Sequence, residues 1–519
     1  MGDSGHVTRL LRPTLVVTLF TLLAQVVAFV TQVVIAAAFG AGAAMDAFLA
    51  ANTLPQYLLS VVLNALGFVF IPVFLEYGKQ GREEDAWRLV SVVLTLCAVT
   101  LGLLSLAGMA LAQPLLRVTT PGLPSTSVQL ASRIAMIVWP SVVFTGLVSL
   151  LTAIYHAQGR FGWPAIVPVL GALINLALVV ALAATMGVVG VAIAGLIGVV
   201  LQVAMLLRIV LNQPRFRPLL DWRGPGVREV LHLLVPLIVA NVFVRSTPIV
   251  DRYLASDLGE GAISHLGYAN RLVTMFSTLL AAGITTVVFP RMASDRARGD
   301  LAAFRHTISI GLRFMWLTVA PAITVGLALA LPLITVLFQR GEFSSGDAHA
   351  VAVLMQVYLL ALVSMCLGNV AGRALYALKD TWTVGVVGVI EAIAYVVYTP
   401  LLAHRYGTIG IAVSFVIYFN TSLFWLLWLV RSKTGNIGGR GVMVSFLRTG
   451  LASVCGGVAA YAVTRGITGA WGQLLVGASV GALVYAVVLV AVGSVEVRGM
   501  WRDLLAGRPV APPPPAAEP

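Results

Sequence analysis

Along most of its length the chain reads as apolar runs of twenty or more residues parted by short polar breaks. Each run is long enough, at 1.5 Å of rise per helical residue, to cross roughly 30 Å of hydrocarbon. The pattern predicts an all-α polytopic membrane protein of about 14 transmembrane helices, from a retained first span over 13–39 to a last one ending near 495. None of the polar breaks is long enough to fold into a soluble catalytic domain. The 497–519 segment, which ends in APPPPAAEP, is too short and too proline-rich to build a core and is predicted to be a disordered tail.

Composition agrees with the pattern. With 59% hydrophobic and only 10% charged residues, the chain lacks the polar surface a soluble protein of 519 residues requires. The three cysteines, Cys97, Cys366 and Cys455, all fall inside apolar runs, where a thiol packs as a small core residue.

The net charge of +13 does not point to nucleic acid, because its distribution follows the breaks. With alternate breaks assigned to opposite sides, 24 of the 33 Lys and Arg gather on one side, in the N-terminus, the 75–88, 156–161, 208–228, 291–305, 373–379 and 431–448 stretches and the C-terminal tail. Only Arg117, Arg340, Arg405 and Arg465 fall on the other. By the positive-inside rule the basic side is cytoplasmic and carries both termini, and its arginines touch anionic lipid headgroups as well.

The chain also repeats itself. FGAGAAMDAFLAANTLPQYL, from Phe39, returns as LGEGAISHLGYANRLVTMF, with Gly40, Gly42, Ala43 and Ala50 matched 219 positions later by Gly259, Gly261, Ala262 and Ala269. AIYHAQGRF from Ala153 and ALYALKDTW from Ala374 recur at nearly the same offset. The expected organisation is an N-lobe over 1–212 (spans 1–6), a basic linker over 213–229 and a C-lobe over 230–432 (spans 7–12). Two added spans follow over 433–496 and the tail over 497–519. Corresponding spans run in the same direction, as in parallel-repeat transporters.

Charge left inside the spans is the candidate chemistry, since an arginine at mid-bilayer costs roughly 2.5–3.5 kcal/mol and faces a cavity or a partner. Arg271 lies about 14 Å into span 8 and is the leading anion contact, beside Asn270. The bland reading pairs it with an acid such as Asp251 or Asp46. Arg245 and Arg252 are seven residues apart and share a helix face, with Asp251 a local partner for Arg252. Arg133 and Arg313 lie nearer span ends, where snorkelling explains them. Asp46 opens span 2 and Asp380 opens span 11, both as N-caps, and Glu391 lies inside span 11, either neutralising an arginine or coupling to an ion. Gly187, Gly190, Gly195 and Gly198 read as close helix packing. No phosphate-binding glycine loop, zinc-ligand pattern or nucleophile–base set is found, so the chain reads as a non-enzyme without cofactor or metal.

Taken together, AAAFGAGAAMDAFLAANTLPQYL, AIYHAQGRF, VDRYLAS, GYANRL, VVFPRM, FQRGEFSSGD and RALYALKDT resemble the MurJ/MviN family. The resemblance covers spans 1–12 and implies a lipid II flippase within a wider group that includes drug/cation antiporters and polysaccharide exporters. It implies a V-shaped pair of lobes around a cationic cavity, and alternating access for an undecaprenyl-linked glycan lipid, with cell-wall synthesis proteins as possible partners. Carried over by position, it marks Asp46 and Arg271 as cavity residues, Asp251 and Arg252 as the span 7 pair, and Arg373, Tyr376, Asp380 and Thr381 as the span 10–11 signature. Where the family carries arginines and an acid in the first span, this chain has Ala24, Gln25, Ala28, Thr31 and Gln32. In span 2, Leu58-Leu59-Ser60 stands in place of Leu-Arg-Arg. Arg245 stands where the family tends to have glutamine. Two other readings fit the architecture: an ion-coupled antiporter, which wants a carboxylate cluster that spans 1–6 lack, and a transport-inactive scaffold in a cell-envelope assembly.

Overall fold

The computed structural model describes residues 4–79, 82–212, 216, 219, 232, 235, 238–239 and 241–493. Most of the basic 213–229 linker and the 497–519 tail fall outside the described residues. In chain order the helices are α1 (Ser4–Phe39), α2 (Ala43–Lys79), α3 (Glu83–Ala110), α4 (Ala112–Thr119), α5 (Ser125–Ala157), α6 (Gly162–Leu211) and α7 (Thr247–Ser256). They continue as α8 (Ala262–Ala297), α9 (Leu301–Ala328), α10 (Ala330–Phe338), α11 (Ser345–Ala377), α12 (Thr381–Thr434), α13 (Gly439–Thr464) and α14 (Ala470–Ala491).

The sequence repeat is a repeat of elements. α2 to α6 begin at 43, 83, 112, 125 and 162, and α8 to α12 begin at 262, 301, 330, 345 and 381, each 218 to 220 positions later. α13 and α14 have no counterpart. Among the described residues nine helices are long and apolar enough to cross a membrane, ten if α8, bent by 49° between Ile284 and Val288, is included. The chain is a multi-pass membrane protein.

Two of those helices are hairpins. α6 is 50 residues long, about 75 Å if straight and far more than one crossing needs. It reverses at Gly187 (φ 61°, ψ −147°), a backbone conformation open essentially to glycine alone. The reversal brings the Trp163 indole N–H within 3.0 Å of the Met205 carbonyl oxygen, 42 residues away. α12, 54 residues long, does the same at Gly407 (φ 61°, ψ −137°) and brings the Tyr395 and Tyr418 rings to 5.6 Å. Three residues past each turn sits a second glycine pressed on the opposing leg. A Cβ on Gly190 would lie 2.6 Å from the Leu182 carbonyl oxygen, and one on Gly410 would lie 2.0 Å from that of Leu402. The packing expected of the span 6 glycines therefore holds for Gly190 and Gly198, whereas Gly187 makes the turn and Gly195 has open space beside it.

The described residues form two compact units. The first draws on the described residues of 4–264 and the short segment 340–344; the second draws on those of 265–339 and 345–493. In the first, α2 packs on α5, α1 on α6, and α5 on α3 and α6, around buried Trp87, Trp139, Leu151 and Ile154. In the second, α11 packs on α12, and α9 packs on α11 and α13. α13 and α14 are fixed there by side chains that reach backbone carbonyls: Trp316 Nε1–H to Phe446, Thr324 Oγ1–H to Ser453 and Tyr485 O–H to Leu317.

Candidate functional site

In the first unit, the two copies of the Gly-x-Gly repeat complete each other's helices. α8 starts after Gly261, which has no side chain to cap it. The Asp46 carboxylate does so instead, accepting the Gly261 N–H at 2.7 Å and the Ser264 N–H at 2.8 Å, with the Ser264 hydroxyl donating as well. α2 starts after Gly42, also without a side chain, and its Ala43 N–H donates to Glu260 Oε1 at 3.0 Å. Each carboxylate lies at the positive end of the other's helix, where charge and free N–H groups favour it. Asp46 is 1% exposed, so its charge is taken up by these donors rather than by solvent. The 340–344 segment closes the layer, with the Glu342 N–H on the Ala37 carbonyl oxygen at 2.9 Å.

The intramembrane arginines divide by environment. Arg271, ten residues along α8 in the second unit, is exposed and makes no ion pair among the described residues. Its neighbour Asn270 is half-buried and accepts from the Thr274 hydroxyl at 3.3 Å. Arg245, in the first unit, is also exposed and without an ion pair. It sits at a break that the apolar pattern did not foretell. Helical residues 241–244 stop at Arg245–Ser246 and the chain restarts as α7, with Pro248 in its first turn. The break frees backbone groups, and the Tyr57 hydroxyl donates to the Val242 carbonyl oxygen at 2.6 Å. Arg252 is half-buried and donates through Nη1 to the Ile263 carbonyl oxygen at 3.0 Å; Asp251 precedes it on α7, half-buried. Arg133 is exposed and Arg313 half-buried.

The remaining candidates belong to the second unit. Arg373, near the end of α11, lies over the Phe289 ring at 5.3 Å. Asp380 caps α12 through the Thr383 N–H and hydroxyl, and its other oxygen pairs with Lys433 Nζ at 2.8 Å, tying the two ends of the hairpin together. The Lys433 ammonium, with the Thr383 donors, holds the Asp380 carboxyl below the usual carboxylate range. Glu391 is 6% exposed, well inside α12. Among the described residues the structure joins Asp46 with Ser264 and Asp380 with Lys433, but pairs none of Arg245, Arg271 and Glu391 with an opposite charge.

Sequence reasoning passed over Glu260, Tyr57, Gly407 and Gly410, and read Gly187 as packing rather than as a turn. The glycines had a signal: MGVVG at 186–190 and YGTIG at 406–410 stand at the repeat offset. Of the first-span positions, Gln25 is exposed, and Thr31 is buried with its hydroxyl spent on the Val27 carbonyl oxygen.

The sequence matches the family described as Lipid II flippase MurJ over residues 35–478. A lipid II flippase MurJ of Burkholderia cenocepacia is 31% identical over 424 residues, covering 78% of this chain and 81% of the relative. A probable lipid II flippase MurJ of Vibrio cholerae is 28% identical over 423 residues, covering 78% and 80%. Among solved structures, one described as lipid II flippase MurJ in an inward closed conformation gives a TM-score of 0.80 at 21% identity, over 95% of this chain and all of that one. An inward-facing multidrug resistance MATE family transporter of the MOP superfamily shares the fold at TM-score 0.65 and 15% identity, over 81% and 95%. The chain belongs to the MurJ family of lipid II flippases.

Proposed function

We propose that this protein flips a polyprenyl-diphosphate-linked saccharide, lipid II or a close relative, from the cytoplasmic to the outer leaflet of a bacterial inner membrane by alternating access. The observation that carries the reading is Arg271: an exposed guanidinium with no ion pair among the described residues, on a membrane-spanning helix of a flippase family member. Exposure to lipid would be costly there, so the guanidinium faces a water-filled path, where it offers charge-assisted bidentate hydrogen bonds to a diphosphate. A diphosphate cannot enter hydrocarbon unaided, and a few such donors offset its desolvation. In the first unit, Arg245 is a separate exposed cation at the break before α7, where backbone groups are free of the helical pattern. Asn270, next to Arg271 on α8, offers a neighbouring polar group to the same headgroup. Asp46, with Asp251, Arg252, Arg373 and Asp380, acts on helix ends that open and close rather than on the headgroup. The basic breaks face the cytoplasm and hold both termini there.

The test is replacement of the resident lipid II flippase in a bacterial host. Expression of this chain is expected to restore growth and the appearance of lipid II in the outer leaflet, and Arg271→Ala to abolish both with normal membrane levels. Failure of the folded wild-type chain to restore either overturns the lipid II assignment.

A further inference from the structure

α8 carries more polarity than its arginine. Arg271, Thr274 and Thr278 follow one another at the three- and four-residue steps that share one face of a helix, and all three are exposed. Leu272, Val273 and Ser277, between them in sequence, are buried. The Thr278 hydroxyl donates to the Thr274 carbonyl oxygen at 2.9 Å, the usual way a helical threonine satisfies its proton. Thr274 does otherwise. It donates to the side chain of Asn270, at 3.3 Å from Oδ1, and so turns the amide oxygen of Asn270 toward itself. Each threonine oxygen keeps acceptor capacity after giving its proton away. The strip thus offers hydroxyl acceptors, one amide and one guanidinium over about 10 Å of helix. Between Ala262 and Pro290, Arg271 is the only Lys, Arg, Asp or Glu, so the strip beyond it is neutral.

Two observations separate this face from one that meets lipid. An exposed guanidinium well inside a membrane-spanning helix is costly against hydrocarbon, and Thr274 lies within one turn of it on the same side. The repeat supplies the other. At the 219-residue offset, Asn52, Pro55 and Leu59 of α2 stand for Arg271, Thr274 and Thr278. Asn52 turns its amide to the Phe48 carbonyl oxygen at 2.8 Å, and Leu59 is buried. The same helix of the duplicated fold is therefore built without these hydroxyls, and packing does not require them.

We propose that Thr274 and Thr278, with Asn270, form a saccharide subsite that continues from Arg271 toward the basic end of α8, where Arg291, Arg296 and Arg298 stand, and that it selects lipids bearing a sugar next to the diphosphate. Arg271 meets the diphosphate. The threonine oxygens accept from sugar hydroxyls, and the Asn270 amide meets an N-acyl group. A site built to bond such groups disfavours the analogue that lacks them, because its own polar atoms are then left without partners. The place of the subsite in a transport path rests on the flipping reading above; its preference for a sugar is read by binding alone.

The purified full-length protein tests both parts with two probes, lipid II and undecaprenyl diphosphate without sugar. Binding is measured in detergent and movement in liposomes. Wild type is expected to bind lipid II more tightly than the bare diphosphate. Thr274→Val with Thr278→Val keeps the shape of both side chains and removes both hydroxyls, and is expected to lower that preference roughly tenfold. Thr274→Ser with Thr278→Ser restores the hydroxyls and is expected to restore the preference, which a packing role would not do. Arg271→Ala is expected to weaken both lipids. Should the double valine variant fail to fold, the two single valine variants carry the measurement. Valine variants that keep the full preference, or that weaken both lipids equally, overturn the subsite, as does a wild type without preference for the sugar-bearing lipid. A folded wild type that shows the preference and moves neither lipid overturns the flipping reading and leaves the subsite supported.

Discussion

Asp46 does for α8 what Gly261, with no side chain, cannot. Hydrogen bonds to a charged acceptor contribute about 1.5–3 kcal/mol, and this carboxylate takes two backbone donors and a hydroxyl. Asp46→Ala is expected to lower stability by at least that much in thermal melting of the purified protein, and Asp46→Asn by less, since an amide oxygen still accepts. The Asp380–Lys433 pair predicts a pH dependence. The folded carboxyl titrates below its unfolded value, so its contribution is complete above the ordinary carboxylate range and fades as pH falls through the folded value. Asp380→Asn should flatten the acid limb of a melting-temperature profile below about pH 4 and leave the neutral region's slope unchanged. Part of this was legible one residue at a time: an arginine nine positions into an apolar run announces itself, and Asp380 reads as the cap of the helix it opens, whereas Asp46, expected to cap its own span, lies in the first turn of α2 and caps α8 instead. That Asp46 caps a helix 215 residues away was not legible, because a local pattern cannot name a distant partner.

Among the elements, the hairpins turn on single glycines. At Gly187 and Gly407 a Cβ would meet nothing within 4 Å, so any cost of Gly→Ala comes from backbone conformation alone. Gly187→Ala and Gly407→Ala should each destabilise by roughly 1–3 kcal/mol, read as a shift in denaturation midpoint. An equal or greater stability in either variant would contradict that assignment. Apolar periodicity gave both legs of each hairpin, because length alone forbids one straight crossing. It missed the break before α7, since Val242, Phe243 and Val244 are apolar on either reading and what settles the matter is Tyr57, a side chain from α2 that meets the freed carbonyl.

For the molecule as a whole, charge asymmetry makes a prediction independent of any site. A fluorescent protein fused after Gly493 should fluoresce and an alkaline phosphatase fused there should stay inactive, as both report a cytoplasmic position; the reverse result would invert the topology. The all-helical, duplicated architecture was legible because the bilayer removes most alternatives: backbone polar groups must be satisfied within each span.

The exchanged caps also have a consequence for synthesis. The first amide of α2 finds Glu260 only when 217 further residues have been made, roughly 10 to 40 seconds at ordinary elongation rates. Until then the first half sits in the membrane with Asp46 and the start of α2 still waiting for their partners. A ribosome that stalls within the 208–228 stretch therefore leaves a nascent chain with an open end, exposed to quality-control proteases for as long as the second half is delayed.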